Sequence, residues 1–336
     1  MNLRKMLVLL AAGFVAVVAL GVYVLVVDRG TPPSDEAGPK RVLPFGEMSN
    51  ARFHEGVARL EITHGKDAPI AIEKADAQGW RLRKPLDGPA DAATVLAILG
   101  ALRELQFDQA VQPAPGETAG YGFGAPRFQV RLWVGGKCCA FEIGGEARGR
   151  TPSEKKAYLR LEGDPRVFVV DDRIAGVLAR RPLSLLDRQI FAFLERDVVR
   201  LTIERLSAKL VCERVRGAWK LTSATPRDAD PANVAIILGA MDDLKAEEFV
   251  AAAPADLKPF GLDAPDLRLT AAIEPGQGPA SWRAGGEPPR SECLLLSRTM
   301  DGKTYGMKAG GTLVFTVKSW DAASLRTEPV RETGAK

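Results

Sequence analysis

Trp80-Arg-Leu-Arg-Lys-Pro-Leu-Asp-Gly-Pro-Ala-Asp91 opens a stretch, running to Pro126, that the chain writes twice. Shifted by 139 positions, Trp80 falls on Trp219, Asp91 on Asp230, Gly100 on Gly239, Gly122 on Gly261 and Pro126 on Pro265. Of these 47 ungapped positions 17 are identical; unrelated segments of ordinary composition share roughly three or four. The chain therefore carries a duplicated unit, and the fold has to be read as a repeat.

Working outward, each copy opens with short alternating runs. Leu60 and Ile62, then Ile70 and Ile72, then Trp80 and Leu82 share faces two residues apart, the period of half-buried strands. The second copy repeats this at Val199–Ile203, Lys209–Cys212 and Trp219–Leu221. A polar, proline-containing connector then leads to a helix. In copy one Asp91 is the N-cap, and Val95, Ile98, Leu99, Leu102 and Leu105 line one face. In copy two Asp230 is the N-cap, Pro231 fills the first position, and Val234, Ile237, Leu238, Met241 and Leu244 repeat the stripe. Gly100 and Gly239 fall mid-helix at equivalent places, which predicts a close approach of helix to sheet. After the helix come a turn (Tyr121-Gly-Phe-Gly-Ala-Pro126 and Phe260-Gly-Leu-Asp-Ala-Pro265) and further strands at Phe128–Val134, Cys139–Ile143, Lys156–Leu161 and Val167–Val170. Copy two continues at Leu267–Ile273, Lys303–Met307 and Leu313–Val317, with Trp320–Leu325 matching a short helix at Asp172–Leu178.

The 22 residues Met6–Val27 contain no charge. As a helix rising about 1.5 Å per residue they reach about 33 Å, enough for a bilayer core. Arg4 and Lys5 precede them and favour a cytoplasmic N-terminus with an exported body. A cleaved signal peptide has a shorter apolar core and a small-x-small site, and none stands out here. The expected organisation is thus an anchor over 1–27, an extended spacer over 28–52, α+β repeats over 53–190 and 191–326, and a frayed tail over 327–336. Each repeat is an antiparallel sheet covered on one face by a helix. The expected place is the inner (cytoplasmic) membrane, single-pass, with the body in the periplasm or otherwise outside the cytoplasm.

The set Trp80-Arg-Leu82, Ala90-Asp91, Tyr121 to Pro126 and Tyr158, repeated as Trp219-Lys-Leu221, Ala229-Asp230, Phe260 to Pro265 and Tyr305, resembles the bacterial family of domain of unknown function 4340 (DUF4340). Phe123 stands where that family has Leu, and Phe260 where it has Tyr; both keep the bulk. The resemblance covers about residues 53 to 325. It implies an envelope protein with an N-terminal membrane segment, and an accessory role beside gliding-motility-type ABC transporter components. It implies no catalytic residues.

Reactive groups are scarce. The net charge is +4, with Arg and Lys dispersed among Asp and Glu, so no basic stripe for nucleic acid is present. His54-Glu55 lacks the second histidine of a zinc-protease helix, position 58 being Ala. His64 is the one other histidine, and a catalytic zinc takes three protein ligands. Cys138-Cys139 lacks the two-residue spacer of a zinc or redox pair, and with Cys212 and Cys293 it reads as small buried or half-buried apolar residues, one long-range bridge being the alternative. Gly120-x-Gly122-x-Gly124 precedes a strand, and Gly136-Lys137 lacks the rest of a phosphate loop. The acid pairs Asp171-Asp172, Asp242-Asp243 and Glu247-Glu248 fit helix ends and solvated faces. Trp80, Tyr121, Phe123 and Trp133 could together form a sugar- or peptide-binding platform; core packing is the stronger account for Trp80, whose repeat partner is also Trp. Trp282, in the Gly/Pro-rich stretch Pro275–Pro289, has no counterpart in copy one and is the candidate interface residue. No catalytic, cofactor-binding or metal-ligating residue is assigned, and no cofactor.

The expected function is therefore non-enzymatic: a membrane-anchored accessory or scaffold protein of an envelope complex, with protein partners that include ABC transporter subunits. The alternatives are a binding module for cell-wall polymer or exported substrate, using the groove between units, and a hydrolase with an unrecognised site.

Overall fold

The computed structural model of the protein describes residues 40–75, 79–114, 117–149, 151, 153–206, 208–223, 227–274 and 290–330. The apolar leader Met6–Val27 and Trp282 lie outside them. Among the described residues no helix is long and apolar enough to cross a membrane.

Copy one contains α1 (Asn50–Gly56), β1 (Val57–His64), β2 (Ile70–Ala75), β3 (Gly79–Lys84), β4 (Gly88–Ala90), α2 (Ala92–Arg103), β5 (Phe107–Val111), β6 (Phe128–Val134), β7 (Lys137–Arg148), β8 (Lys155–Leu161), β9 (Val167–Asp171) and α3 (Arg173–Leu178). Copy two contains β10 (Val198–Arg205), β11 (Ala208–Val215), β12 (Ala218–Leu221), β13 (Arg227–Asp228), α4 (Pro231–Asp242), β14 (Glu248–Ala252), β15 (Leu267–Ile273), β16 (Arg290–Leu296), β17 (Thr304–Lys308), β18 (Leu313–Val317) and α5 (Ser319–Leu325). Each copy forms a nine-stranded sheet, in the order β4-β3-β2-β1-β6-β7-β8-β9-β5 and its counterpart β13-β12-β11-β10-β15-β16-β17-β18-β14. The architecture is α+β, and the duplication read from the sequence is present strand for strand.

The period-two pattern decides the faces. On β6, Phe128, Val130, Leu132 and Val134 are buried, while Gln129 and Arg131 between them are exposed. On the buried side lies α2, whose Val95, Leu99 and Leu102 are fully buried and whose Ile98 and Leu105 are nearly so. Each fully buried aliphatic side chain contributes about 1.5–3 kcal/mol. In copy two Val234, Ile237, Leu238, Met241 and Leu244 are all fully buried. The helix starts as the sequence predicts: Thr94 N–H donates to Asp91 Oδ1 at 2.6 Å, and Ala232 N–H to Asp230 Oδ1 at 3.0 Å.

The connector between copies is used twice. Its first half closes copy one: Asp91 N–H donates to Leu185 O at 2.8 Å, and Asp187 N–H to Pro89 O at 2.9 Å. Its second half opens copy two: Ile190 N–H donates to Leu244 O, Ala246 N–H to Arg188 O, and Gln189 Nε2 to Asp242 O. Copy one is opened in the same way by residues 40–48, where Val42 N–H donates to Leu105 O, Phe107 N–H to Lys40 O, and Arg41 Nη1 to Arg103 O. Copy two is closed in the same way at the C-terminal end, where Asp230 N–H donates to Pro329 O at 2.8 Å. One apolar core runs through both copies and the connector.

These bonds move three boundaries. Residues 40–52, expected in the spacer, belong to the body: Val42, Leu43 and Phe45 are buried, and α1 follows them. Three apolar side chains without strand or helix period give no element signal, yet all three join the core, and Phe45 packs on Phe53 of α1. Copy two accordingly begins at 188 rather than 191. Residues 327–330, expected in the frayed tail, are held by the Pro329 bond and by an ion pair of Glu328 with Arg205.

The glycine expectation also fails. A Cβ added at Gly100 or Gly239 would meet nothing within 4 Å, so neither marks a close approach of helix to sheet. Each of these glycines costs about 0.5–1 kcal/mol relative to Ala. Gly100→Ala and Gly239→Ala should therefore each stabilise the protein by about that amount, measured as a higher urea midpoint at unchanged m-value.

Candidate binding face

The face of the first sheet turned away from α2 is an open, charged surface that the strand register assembles into rows. Register places Glu61 of β1 opposite Arg131 of β6, and Arg131 opposite Ala140 of β7. Glu162, just past β8, donates its N–H to Ala140 O at 2.9 Å and completes this row. The next row is Thr63, Gln129, Glu142 and Arg160. Both rows line a concavity of about 750 Å³.

The second row is internally satisfied. Gln129 Nε2 donates to Glu142 Oε1 at 3.0 Å, and Arg160 Nη2 to Glu142 Oε2 at 2.7 Å. The Arg160 guanidinium also lies 4.6 Å from the Phe123 ring centroid. In the first row Glu61 pairs with Arg59, which also reaches Glu73 at 2.8 Å. Arg131 and Glu162 have no ion-pair partner among the described residues. At the rim Arg166 donates to Asp164 and holds its carboxyl below the usual aspartate range.

The residues singled out from sequence do not converge here. His64 Nε2–H donates to Leu178 O at 2.9 Å and its ring packs on Phe128, a structural role. His54 has its pKa lowered by burial first and by Arg103 and Lys74 second. All four cysteines are free; Cys138 is exposed, against the expectation of burial. Burial pushes the Cys139 and Cys212 thiols up to about 11, so neither is a thiolate near neutrality. Asp171 pairs with Arg173, Asp172 with Arg127, and Glu248 with Arg181, while Asp242 Oδ1 accepts the Phe193 N–H. Trp80 is buried on the helix side, whereas Trp133 lies on the opposite face under Arg59, so they form no common platform. Among the described residues no three His, Cys, Asp or Glu side chains gather in a way that could hold a metal ion. The open rows escaped sequence reading because their members are scattered over four strands; the only signal was a charge at alternate strand positions.

The repeated signature residues are occupied in building the unit. Trp80 and Trp219 are both buried, and Trp80 pairs with Ala90 across β3 and β4. Tyr121 packs edge-on against Tyr158, ring centroids 4.8 Å apart, and Phe260 packs likewise against Tyr305 at 5.4 Å. Gly122 has φ +80°, and a Cβ there would come within 2.5 Å of the Gly145 amide nitrogen. The turn thus lies directly on β7, at the place where the β7–β8 register slips.

A family model described as Domain of unknown function (DUF4340) matches residues 80–217 and 219–331. The chain belongs to DUF4340. No curated protein and no solved structure matches it. The DUF4340 windows and the sheets have the same period but different phase. The first window ends after β11, although β10 and β11 pair within the second sheet.

The DUF4340 copies differ in one buried acid. Asp321 on α5 is 7 % exposed, where copy one has Ile174 on α3. Burial raises its carboxyl above the ordinary aspartate range, Lys318 pulls it down, and Asp243 raises it. The folded state thus holds this proton more tightly than the unfolded chain, so the ionised form costs stability above the folded pKa. Asp321→Asn should raise the melting temperature at pH 7, and the gain should shrink as pH falls through the raised folded pKa and level off by about 4, the unfolded aspartate value.

Proposed function

We propose that this DUF4340 protein is a non-enzymatic accessory or scaffold subunit of an envelope complex, tethered to the inner membrane by Met6–Val27 with its body exported. The observation that carries the reading is the occupation of the repeated residues. Trp80 and Trp219, Asp91 and Asp230, and the aromatic turns are consumed by sheet edge, helix cap and loop packing. What the two copies hold in common therefore makes a shape, and shape is what a scaffold supplies. The uncharged leader behind Arg4 and Lys5 supports the tether. The link to an ABC transporter rests on the family resemblance alone. A binding module is the second reading, favoured by the open face of the first sheet.

Crosslinking in intact cells, followed by purification of the full chain, tests this. Recovery of integral membrane subunits, lost when the leader is exchanged for an unrelated membrane span or a cleaved signal, is the expected outcome. Recovery of the body from the cytoplasm, with no membrane partner, would overturn it.

A further inference from the structure

A charged outer face is the ordinary condition of an antiparallel sheet with one side in water. The duplication allows that explanation to be tested, because the second sheet shows what the fold itself requires at the same places. Val130 of β6 faces Ile62 and Phe141, and Leu269 of β15 faces Ile203 and Leu294. Counting from these pairs, the row Glu61, Arg131, Ala140, Glu162 corresponds to Thr202, Thr270, Cys293, Ala309. The bond closing each row is the same: Glu162 N–H to Ala140 O at 2.9 Å, and Ala309 N–H to Cys293 O at 2.8 Å. The charged pair Glu142–Arg160 corresponds to Leu295 opposite Met307.

In copy two these positions are closed. Leu295, Met307 and Val314 form a small second core under Leu262 of the turn, with Cys293 and Ala309 packed against it. At these places the second sheet, in the same register, carries uncharged side chains, while at the places of Thr63 and Gln129 it carries the ion pair Glu204–Arg268. In copy one the corresponding turn side chain, Phe123, is covered by Arg160 instead, and the surface beside it stays open as the concavity of about 750 Å³. The charges of Glu61, Arg131, Glu142, Arg160 and Glu162 are therefore extra to what the fold needs at those places.

Their arrangement selects a ligand. Gln129, Glu142 and Arg160 satisfy one another and form a fixed wall. Arg131 and Glu162 are the two uncommitted charges, both exposed, one on each side of the small Ala140. Two strand spacings separate them, about 10 Å. Arg131 offers a guanidinium fork to a carboxylate. Glu162, with Glu61 beyond Arg131, offers carboxylates to an ammonium. A concavity of this size holds a small molecule rather than a protein surface. We propose that the outer face of the first sheet binds a short peptide bearing both a free carboxylate and an amine, with Arg131 on its carboxylate and Glu162 on its amine. The proposal is independent of the tether and of any transporter partner.

The test is calorimetric titration of the full-length, detergent-solubilised protein with lysyl-dialanine having free termini, beside the same peptide acetylated and amidated at its ends. Saturable binding of the free peptide alone is expected. Arg131→Ala and Glu162→Gln should each weaken it about tenfold or more, the loss of one charge-assisted contact. The double variant Glu142→Leu with Arg160→Met, which places the Leu295–Met307 pair of copy two in copy one, should abolish binding while the melting curve stays cooperative. Absence of saturable binding by the wild-type protein, equal binding of the blocked peptide, or indifference to both single substitutions would each overturn the proposal.

Discussion

A nine-stranded sheet with a continuous apolar face has to have that face covered, and in copy one a three-turn helix lies at the centre of the cover, with α1, α3, the strap at 40–48 and the connector around it. The burial of Val95, Ile98, Leu99, Leu102 and Leu105 against the strands is the interaction on which everything else hangs. It requires the helix to start at one place, which Asp91 sets. It requires the amide of Asp91 to be satisfied, which Leu185 does from the connector. It also requires the far end of the helix to be closed, which the strap at Arg41 and Val42 does through Arg103 and Leu105. Copy two meets the same three requirements with Asp230, Pro329 and Gln189.

The strands with a clean period of two, both helix stripes and both N-caps were legible in the sequence, because each is a local pattern that burial imposes on a single element. The Tyr121 and Phe260 turns were legible because they repeat. What was not legible is what only tertiary pairing creates. β5 has almost no alternation, since Asp108 bulges from its pairing with β9 and the strand is exposed at the sheet edge. Val42, Leu43 and Phe45 follow no period because they sit in a strap. The recurrence of Gly100 and Gly239 was read as packing, yet the space above both is empty. The candidate site was least visible of all: Glu61, Arg131, Ala140 and Glu162 are spread over a hundred residues and meet only through register.

The duplicated copies have kept their framework and let one surface diverge. Where copy one carries Glu142 and Arg160, copy two carries Leu295 and Met307, and the turn above closes down on them. With these two side chains the neighbouring row changes as well, Glu61, Arg131 and Glu162 giving way to Thr202, Thr270 and Ala309, and together they separate an open, charged hollow from an apolar plug. The framework is indifferent because the helix side of the sheet, not this one, supplies most of its burial.

The doubly used connector fixes where the two copies part. Residues 185–187 finish the first copy and residues 188–193 start the second, with no spare residue between them. Only a cut between 187 and 188 leaves each copy its own bonds: severing before 185 takes away the acceptor of the first helix start, and severing after 190 uncovers the second helix end. Each copy thus carries an opening piece and a closing piece at its own two ends, 40–48 with 185–187 and 188–193 with 327–330, and at the junction a closing piece runs into an opening one without a linker.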